Sequence, residues 1–281
     1  MINPRIYTFL KLCQLMNYRE TAQALNMTQP AVTQHIHYLE EQYGCKLFRY
    51  DGRRLRKTET CSTFERYAQA MVYNDRQFTE ALHSPAPLRL AIGATKSIGD
   101  YVMGGKIMEL LGRDDVQLEL IIDNTERLLD MLNNLELDIL LVEGYIDKDR
   151  YAHRLIREEE LVGICTPEHP FAGRELPLED LLNEHILIRE EGSGTRAVFE
   201  SVLQNHGYSY CSFRKYSQIS SFKLITQAVA QGLGISFVYR SVVQDDQRVA
   251  SFRIKDCPIT HEFNYVYLQH TDASRHLALL R

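Results

Sequence analysis

Apolar residues recur at helical spacing through the first third of the chain and in short runs afterwards. Ile6, Phe9, Leu10, Leu12 and Cys13 define one face of a helix over about 3–16. Asn17 stands three residues before Glu20, a capping-box arrangement that starts a second, short helix over about 18–25, packed through Ala22 and Leu25. Asn26-Met27 makes a turn. Thr28 then caps a third helix, and Pro30 is tolerated in its first turn because N–H groups there have no helical partner. Val32, Ile36, Leu39 and Tyr43 fall at i, i+4, i+7 and i+11 and predict its inward face. Pro30, Thr33, Gln34 and His37 point away, with Gln29 at the exposed tip.

Residues 45–50 and 54–57 pair as a short hairpin about Asp51-Gly52, a strong turn dipeptide. From Thr60 to about Leu82 no Gly or Pro intervenes, and Phe64, Ala68, Met71, Asp75, Phe78 and Leu82 alternate in steps of four and three, the pattern of a coiled-coil seam. Ser84-Pro85-Ala86-Pro87 ends that helix and reads as a hinge. Beyond it, strands are expected at 88–92, 117–122, 139–142, 161–165, 185–188, 235–238 and 263–268. Helices are expected near 97–111, 125–134, 195–206 and 221–231. That alternation predicts an α/β arrangement with mainly parallel sheets.

Charge sharpens this division. Residues 1–83 hold 11 Lys/Arg against 8 Asp/Glu, whereas the remainder holds 21 against 29. Lys46, Arg49, Arg53, Arg54, Arg56 and Lys57 cluster on the hairpin with only Asp51 opposing them, which turns a solvated face into a candidate phosphate-binding one. With 44% hydrophobic residues and no apolar run near the ~20 needed to span a bilayer, a soluble protein is expected. The N-terminus lacks the basic-then-apolar order of a signal peptide, and six scattered cysteines without a C-x-x-C pair argue for a reducing cytoplasm rather than a zinc or disulfide framework.

The ordered pattern Ala22-x-x-Leu25-x-x-Thr28-Gln29-Pro30-Ala31-Val32-Thr33, Ile36-x-x-Leu39-Glu40 and Gly44-x-x-Leu47-Phe48 resembles the LysR-type transcriptional regulators. Thr21-Ala22 stands for that family's paired alanine, Thr33 for its common serine, and Lys57-Thr58 and Cys61 for the residues that close its wing. Three later segments extend the resemblance: Thr166-Pro167-Glu168-His169-Pro170-Phe171, Glu191-Gly192-Ser193-Gly194-Thr195-Arg196, and Ala230-x-Gly232-Leu233-Gly234-Ile235. It implies an α+β multi-domain chain. Residues 1–59 form a winged helix-turn-helix, and 60–85 a linker and dimerisation helix with a hinge. Residues 86–281 form a two-lobed α/β effector domain similar to periplasmic binding proteins, lobe one about 86–160 and 254–281, lobe two about 161–253.

Candidate sites follow. For DNA they are Thr28, Gln29, Pro30, Thr33, Gln34 and His37, whose small polar and amide groups suit base edges and phosphates, with Arg53, Arg54 and Lys57 on the wing. The resemblance puts a basic wing side chain against the minor groove or backbone. For an effector they are Thr95, Lys96, Ser97, Asn124 and Thr125 in lobe one, and Ser193, Gly194, Thr195, Ser220 and Ser221 in lobe two. All lie where strands end and helices begin, so that converging hydroxyls and N–H groups favour a small anion. For dimerisation they are Phe64, Ala68, Met71, Phe78 and Leu82.

No catalytic, metal or cofactor residues are expected. Gly192-Ser193-Gly194 has neither nucleophile-elbow nor P-loop spacing, no histidines stand four apart, and Glu158-Glu159-Glu160 and Glu190-Glu191 read as solvated loops. The expected function is a sequence-specific DNA-binding regulator controlled by a small molecule. Its expected partners are double-stranded DNA, further copies of itself as homodimer and homotetramer, the effector, and RNA polymerase as an additional candidate. Two alternatives are a ligand-binding module whose helix-turn-helix contacts protein, and an enzyme built on the two-lobed domain.

Overall fold

The computed structural model describes residues 2–82 and 87–280, so the Ser84-Pro85-Ala86 part of the expected hinge lies outside the described residues. Three helices, α1 (Pro4–Leu15), α2 (Tyr18–Ala24) and α3 (Gln29–Tyr43), precede a hairpin of β1 (Phe48–Asp51) and β2 (Arg54–Lys57) and the long α4 (Glu59–Leu82). Each of the first three helices is capped by its own side chain: Asn3 accepts from the Arg5 N–H, Asn17 from Arg19 and Glu20, and Thr28 from Ala31. Their shared core holds Phe9, Leu12, Ile36, Leu39 and Leu47, none with measurable exposure above 1%. Burial of each contributes about 2 kcal/mol.

Two expectations shift here. Tyr43 is half exposed and lays its ring on Phe64 at 4.8 Å, because α3 has cleared the core by its last turn. In the hairpin Asp51 pairs with Arg54, so the two-residue turn is Gly52-Arg53, with Gly52 at φ 61° in the left-handed region such turns demand.

The large part begins with β3 (Leu88–Thr95), α5 (Lys96–Tyr101), α6 (Gly104–Leu111), β4 (Val116–Asp123), α7 (Thr125–Asn133) and β5 (Ile139–Glu143). The expected single helix near 97–111 breaks in two at Val102-Met103, just ahead of Gly104-Gly105, residues that weaken a helix interior. Next comes β6 (Tyr151–Cys165), then β7 (Glu175–Leu176), α8 (Leu178–Leu181), β8 (His185–Ile188), α9 (Gly194–Asn205), β9 (Lys215–Gln218) and α10 (Phe222–Ala230). β10 (Ile235–Tyr239), α11 (Arg240–Val243), β11 (Ala250–Ile254), β12 (Thr260–Leu268) and α12 (Ser274–Leu279) complete it.

The strands run in the order β4-β3-β5-β12-β6-β10-β8-β9. Pairing is parallel for β3 with β4 and β5 and for β8 with β9 and β10, while β12 joins β5 antiparallel. The link between lobes is antiparallel: β6 pairs with β12 through Glu160 and with β10 from Leu161 onward. The run Glu158-Glu159-Glu160 therefore sits in a strand rather than a solvated loop. Glu160 takes bonds from both Arg240 and Arg253, and Glu159 accepts the Ser241 N–H at 3.1 Å. Those bonds hold the Glu160 carboxyl at about 2, the Arg253 bond outweighing burial with help from Arg240.

Candidate functional site

The outer face of α3 is assembled by the buried face opposite it. With Val32, Ile36 and Leu39 locked in the core, Gln29, Pro30, Thr33, Gln34 and His37 line one open concavity of about 580 Å³. Thr33 donates its hydroxyl to the Gln29 carbonyl at 3.1 Å, which steadies the first turn. His35 faces inward and bonds Thr8 at 2.9 Å, and burial first, then Arg5, pushes its imidazole below the ordinary value.

On the wing, strand alternation sorts the basic residues. Arg54 and Arg56 share the outward side with Arg49, and Arg53 sits at the tip; all four are exposed. Lys57 shares the inward side with Leu55 and gives its ammonium to both Glu65 oxygens at 2.8 and 2.7 Å. The expected DNA set is corrected accordingly: Lys57 is an internal tie between wing and α4, and Arg49 and Arg56, counted in the basic cluster but not in that set, join the exposed face. Period-two spacing from buried Phe48 was the signal that could have found them.

Between the lobes the expected hydroxyls do converge, but on a carboxyl of the chain itself. Glu143, at the end of β5 and 2% exposed, accepts from Thr95, from Ser97 at 2.5 Å and from Thr195 at 3.2 Å. Thr95 and Ser97 belong to lobe one, Thr195 to the start of α9 in lobe two. The Thr125 hydroxyl oxygen is buried there without a hydrogen-bond partner among the described residues. Gly144 and Gly194 let the backbones meet: a Cβ on Gly194 would stand 2.5 Å from the Glu143 carbonyl, and one on Gly144 2.9 Å from Gly194 Cα.

The other candidates have local work. Asn124, Ser193 and Ser221 cap α7, α9 and α10. Lys96 crosses the cleft to Glu190 and to the Ser220 carbonyl, both at 3.0 Å. Glu190, expected in a solvated loop, also takes Arg189 at 2.7 Å. Burial pushes its carboxyl up, but the Arg189 and Lys96 bonds outweigh that and hold it below the ordinary range. A cavity of about 340 Å³ opens beside this contact, lined by Thr125, Glu126, Tyr145, Ser193 and Arg196. Glu143 was missed because it closes the apolar run 139–142 and reads as the end of a strand.

The seam expected on α4 is divided. Phe64 packs its ring on Phe9 at 4.9 Å and Ala68 is 1% exposed, so both belong to the N-terminal core and leave the candidate interface. Met71, Phe78 and Leu82 are exposed, whereas Tyr67, half exposed, stacks its ring on His270 of lobe one at 4.6 Å. A third face docks on lobe one. Tyr73 bonds His276 at 2.9 Å, Arg76 bonds Asp138 at 2.5 Å and the Leu135 carbonyl at 3.1 Å, and Gln69 reaches the Asn133 carbonyl. Among the described residues, no helix is long and apolar enough to cross a membrane.

Comparison with known proteins matches residues 5–62 to the bacterial regulatory helix-turn-helix model of the lysR family and residues 85–281 to the LysR substrate binding domain. The HTH-type transcriptional regulator YwqM of Bacillus subtilis is 31% identical over 271 residues, 91% of this chain and 89% of that protein. The regulator CysL of the same organism is 28% identical over 268 residues, 92% and 89% of the two chains. A full-length OxyR variant from Pseudomonas aeruginosa superposes with a TM-score of 0.64 at 20% identity, covering 100% of this chain and 93% of that one. The CcmR regulatory domain of Synechocystis, solved in complex with 2-PG, gives 0.61 at 22% identity over 68% of this chain and 95% of its own. The chain belongs to the LysR family of DNA-binding transcriptional regulators.

Proposed function

We propose that the chain reads duplex DNA with the outer face of α3 and grips the flanking backbone with the wing. It acts as a cytoplasmic homodimer joined through the free face of α4 and assembled into a homotetramer. The observation that carries this is the convergence of Gln29, Pro30, Thr33, Gln34 and His37 on one concave surface beside exposed Arg49, Arg53, Arg54 and Arg56. Amide and imidazole groups match the donor and acceptor pattern of base edges, and guanidinium groups match phosphates. The positive end of the α3 dipole lies at Gln29 and Pro30 on the same surface, where it suits a phosphate.

The effector is a small anion acting between the lobes, with no cofactor required. By binding one lobe arrangement better than another, it shifts a pre-existing equilibrium in the spacing of the DNA-binding units. The cavity beside α7 and α9 and the hydroxyl cluster behind it support this assignment. The protein-contact alternative gives no reason for four exposed arginines on one wing.

Selection of bound sequences from a random duplex pool tests the reading. Enrichment of a dyad-symmetric site, protected over two half-sites in footprinting, is expected. Absence of any enriched sequence at low salt contradicts it.

A further inference from the structure

Glu143 stands out among the buried acidic groups. Every other residue of β5 is apolar and buried, as a central strand between β3 and β12 requires. Burying a carboxyl costs several kcal/mol unless it is well paired. Asp138, the other deeply buried acid, has Arg76 and Arg89 within ion-pair distance. No Lys or Arg is within that distance of Glu143 among the described residues; it is held by hydroxyls alone. Those hydroxyls come from both lobes, so the one carboxyl bridges the cleft. A fourth, on Thr125, lies at the same lobe contact with no acceptor, 3.1 Å from where a Gly194 Cβ would be.

We propose that Glu143 is a tethered ligand: its carboxylate fills the site that a small oxyanion would take, and an external anion gains the hydroxyls only by displacing it. This rests on the reading of the cleft as an anion site. It explains why the hydroxyls converge without leaving an open anion cavity among them. A free carboxylate has the same acceptor lone pairs but can turn them where no side-chain tether holds it, and phosphate adds further oxygens; either can serve Thr125 as well. The competition sets the effector concentration needed for response, because an intramolecular group is present at high effective concentration.

Calorimetric titration with acetate at constant ionic strength, on wild type and Glu143→Ala, tests the proposal. Acetate should bind the alanine variant at least tenfold more tightly than wild type, and ethylammonium should show no gain. Adding Thr195→Val should remove most of the acetate gain by deleting the lobe-two donor. If the alanine variant does not fold, Glu143→Gln decides, since it keeps the shape and removes the charge: a threefold or larger gain supports the proposal. A folded variant that binds acetate no better than wild type overturns it. Operator binding in the same samples separates the two readings. A gain in acetate affinity that leaves operator binding untouched supports the tethered ligand and removes the cleft from effector response. An effector response in wild type, with no acetate gain in the variants, overturns the tethered ligand and keeps the cleft.

Discussion

At the end of α3 the nearly buried carboxyl of Glu40 accepts the Leu47 N–H at 2.9 Å and the Lys46 ammonium at 2.6 Å, with the Phe48 N–H at 3.5 Å. It thereby fixes the angle at which the wing leaves the recognition helix. Burial pushes this carboxyl up, but the Lys46, Leu47 and Phe48 bonds outweigh it and leave the group below the ordinary range. Glu40→Ala should destabilise the N-terminal domain by about 2 kcal/mol, since two N–H groups lose their acceptor. The sign with pH follows from the lowered value. The contribution is complete above the ordinary carboxylate pKa of about 4.3 and is lost as pH falls through the folded value. Denaturant melts of wild type and variant should therefore converge in acid; a gap that does not change with pH contradicts this role. Cys13, 3.9 Å from Cys61 in the same core, is held inert in comparison, because burial pushes its thiol far up.

Helix α4 carries three contact faces on one element. Its first turns complete the N-terminal core, a second face docks on lobe one, and a third leaves Met71, Phe78 and Leu82 exposed. Large apolar side chains aligned on one free helix face call for a partner. Met71→Asp should dissociate the dimer and weaken operator binding; an unchanged sedimenting mass would rule out this face as the interface. On the wing, Arg54→Ala should weaken binding to all sequences alike and reduce the salt slope of log K by about 1, as loss of one phosphate contact does. A base-specific loss with an unchanged slope would place Arg54 on a base instead. Much of this was legible in the sequence, because caps, turn residues and period are local signals: Asn17 and Thr28 cap as read, and the hairpin forms with its turn one residue later, at Gly52-Arg53. Lys57, Phe64 and Ala68 were not. Their partners, Glu65 across the wing and Phe9 in α1, are set by tertiary packing. The same holds for Glu143, whose hydroxyl partners lie 46 to 52 residues away.

In the whole molecule, control of DNA binding must pass from the cleft to α3, and the packed contacts mark a route. The hydroxyl cluster at Glu143 joins the lobes. Lobe one grips α4 through Arg76 with Asp138 and through Tyr73 with His276, whose other nitrogen bonds the Arg89 carbonyl at 3.0 Å. α4 is in turn continuous with the N-terminal core. Arg76→Ala leaves the buried Asp138 with the Ala91 N–H and, as its one remaining ion-pair partner, Arg89 at 3.8 Å, and should cost about 3 kcal/mol. Hydrogen exchange in the second half of α4 should rise in that variant, and unchanged protection would show that the latch is not held there. The central claim is that the outer face of α3 reads sequence. Its most direct test is a salt titration of binding to the selected operator and to unrelated duplex, for wild type and for Gln29→Ala combined with Thr33→Ala. The double variant should lose tenfold or more in operator affinity while its affinity for unrelated duplex and its salt slope stay as in wild type. Equal discrimination by both proteins, or no DNA bound by wild type even at low salt, would contradict it.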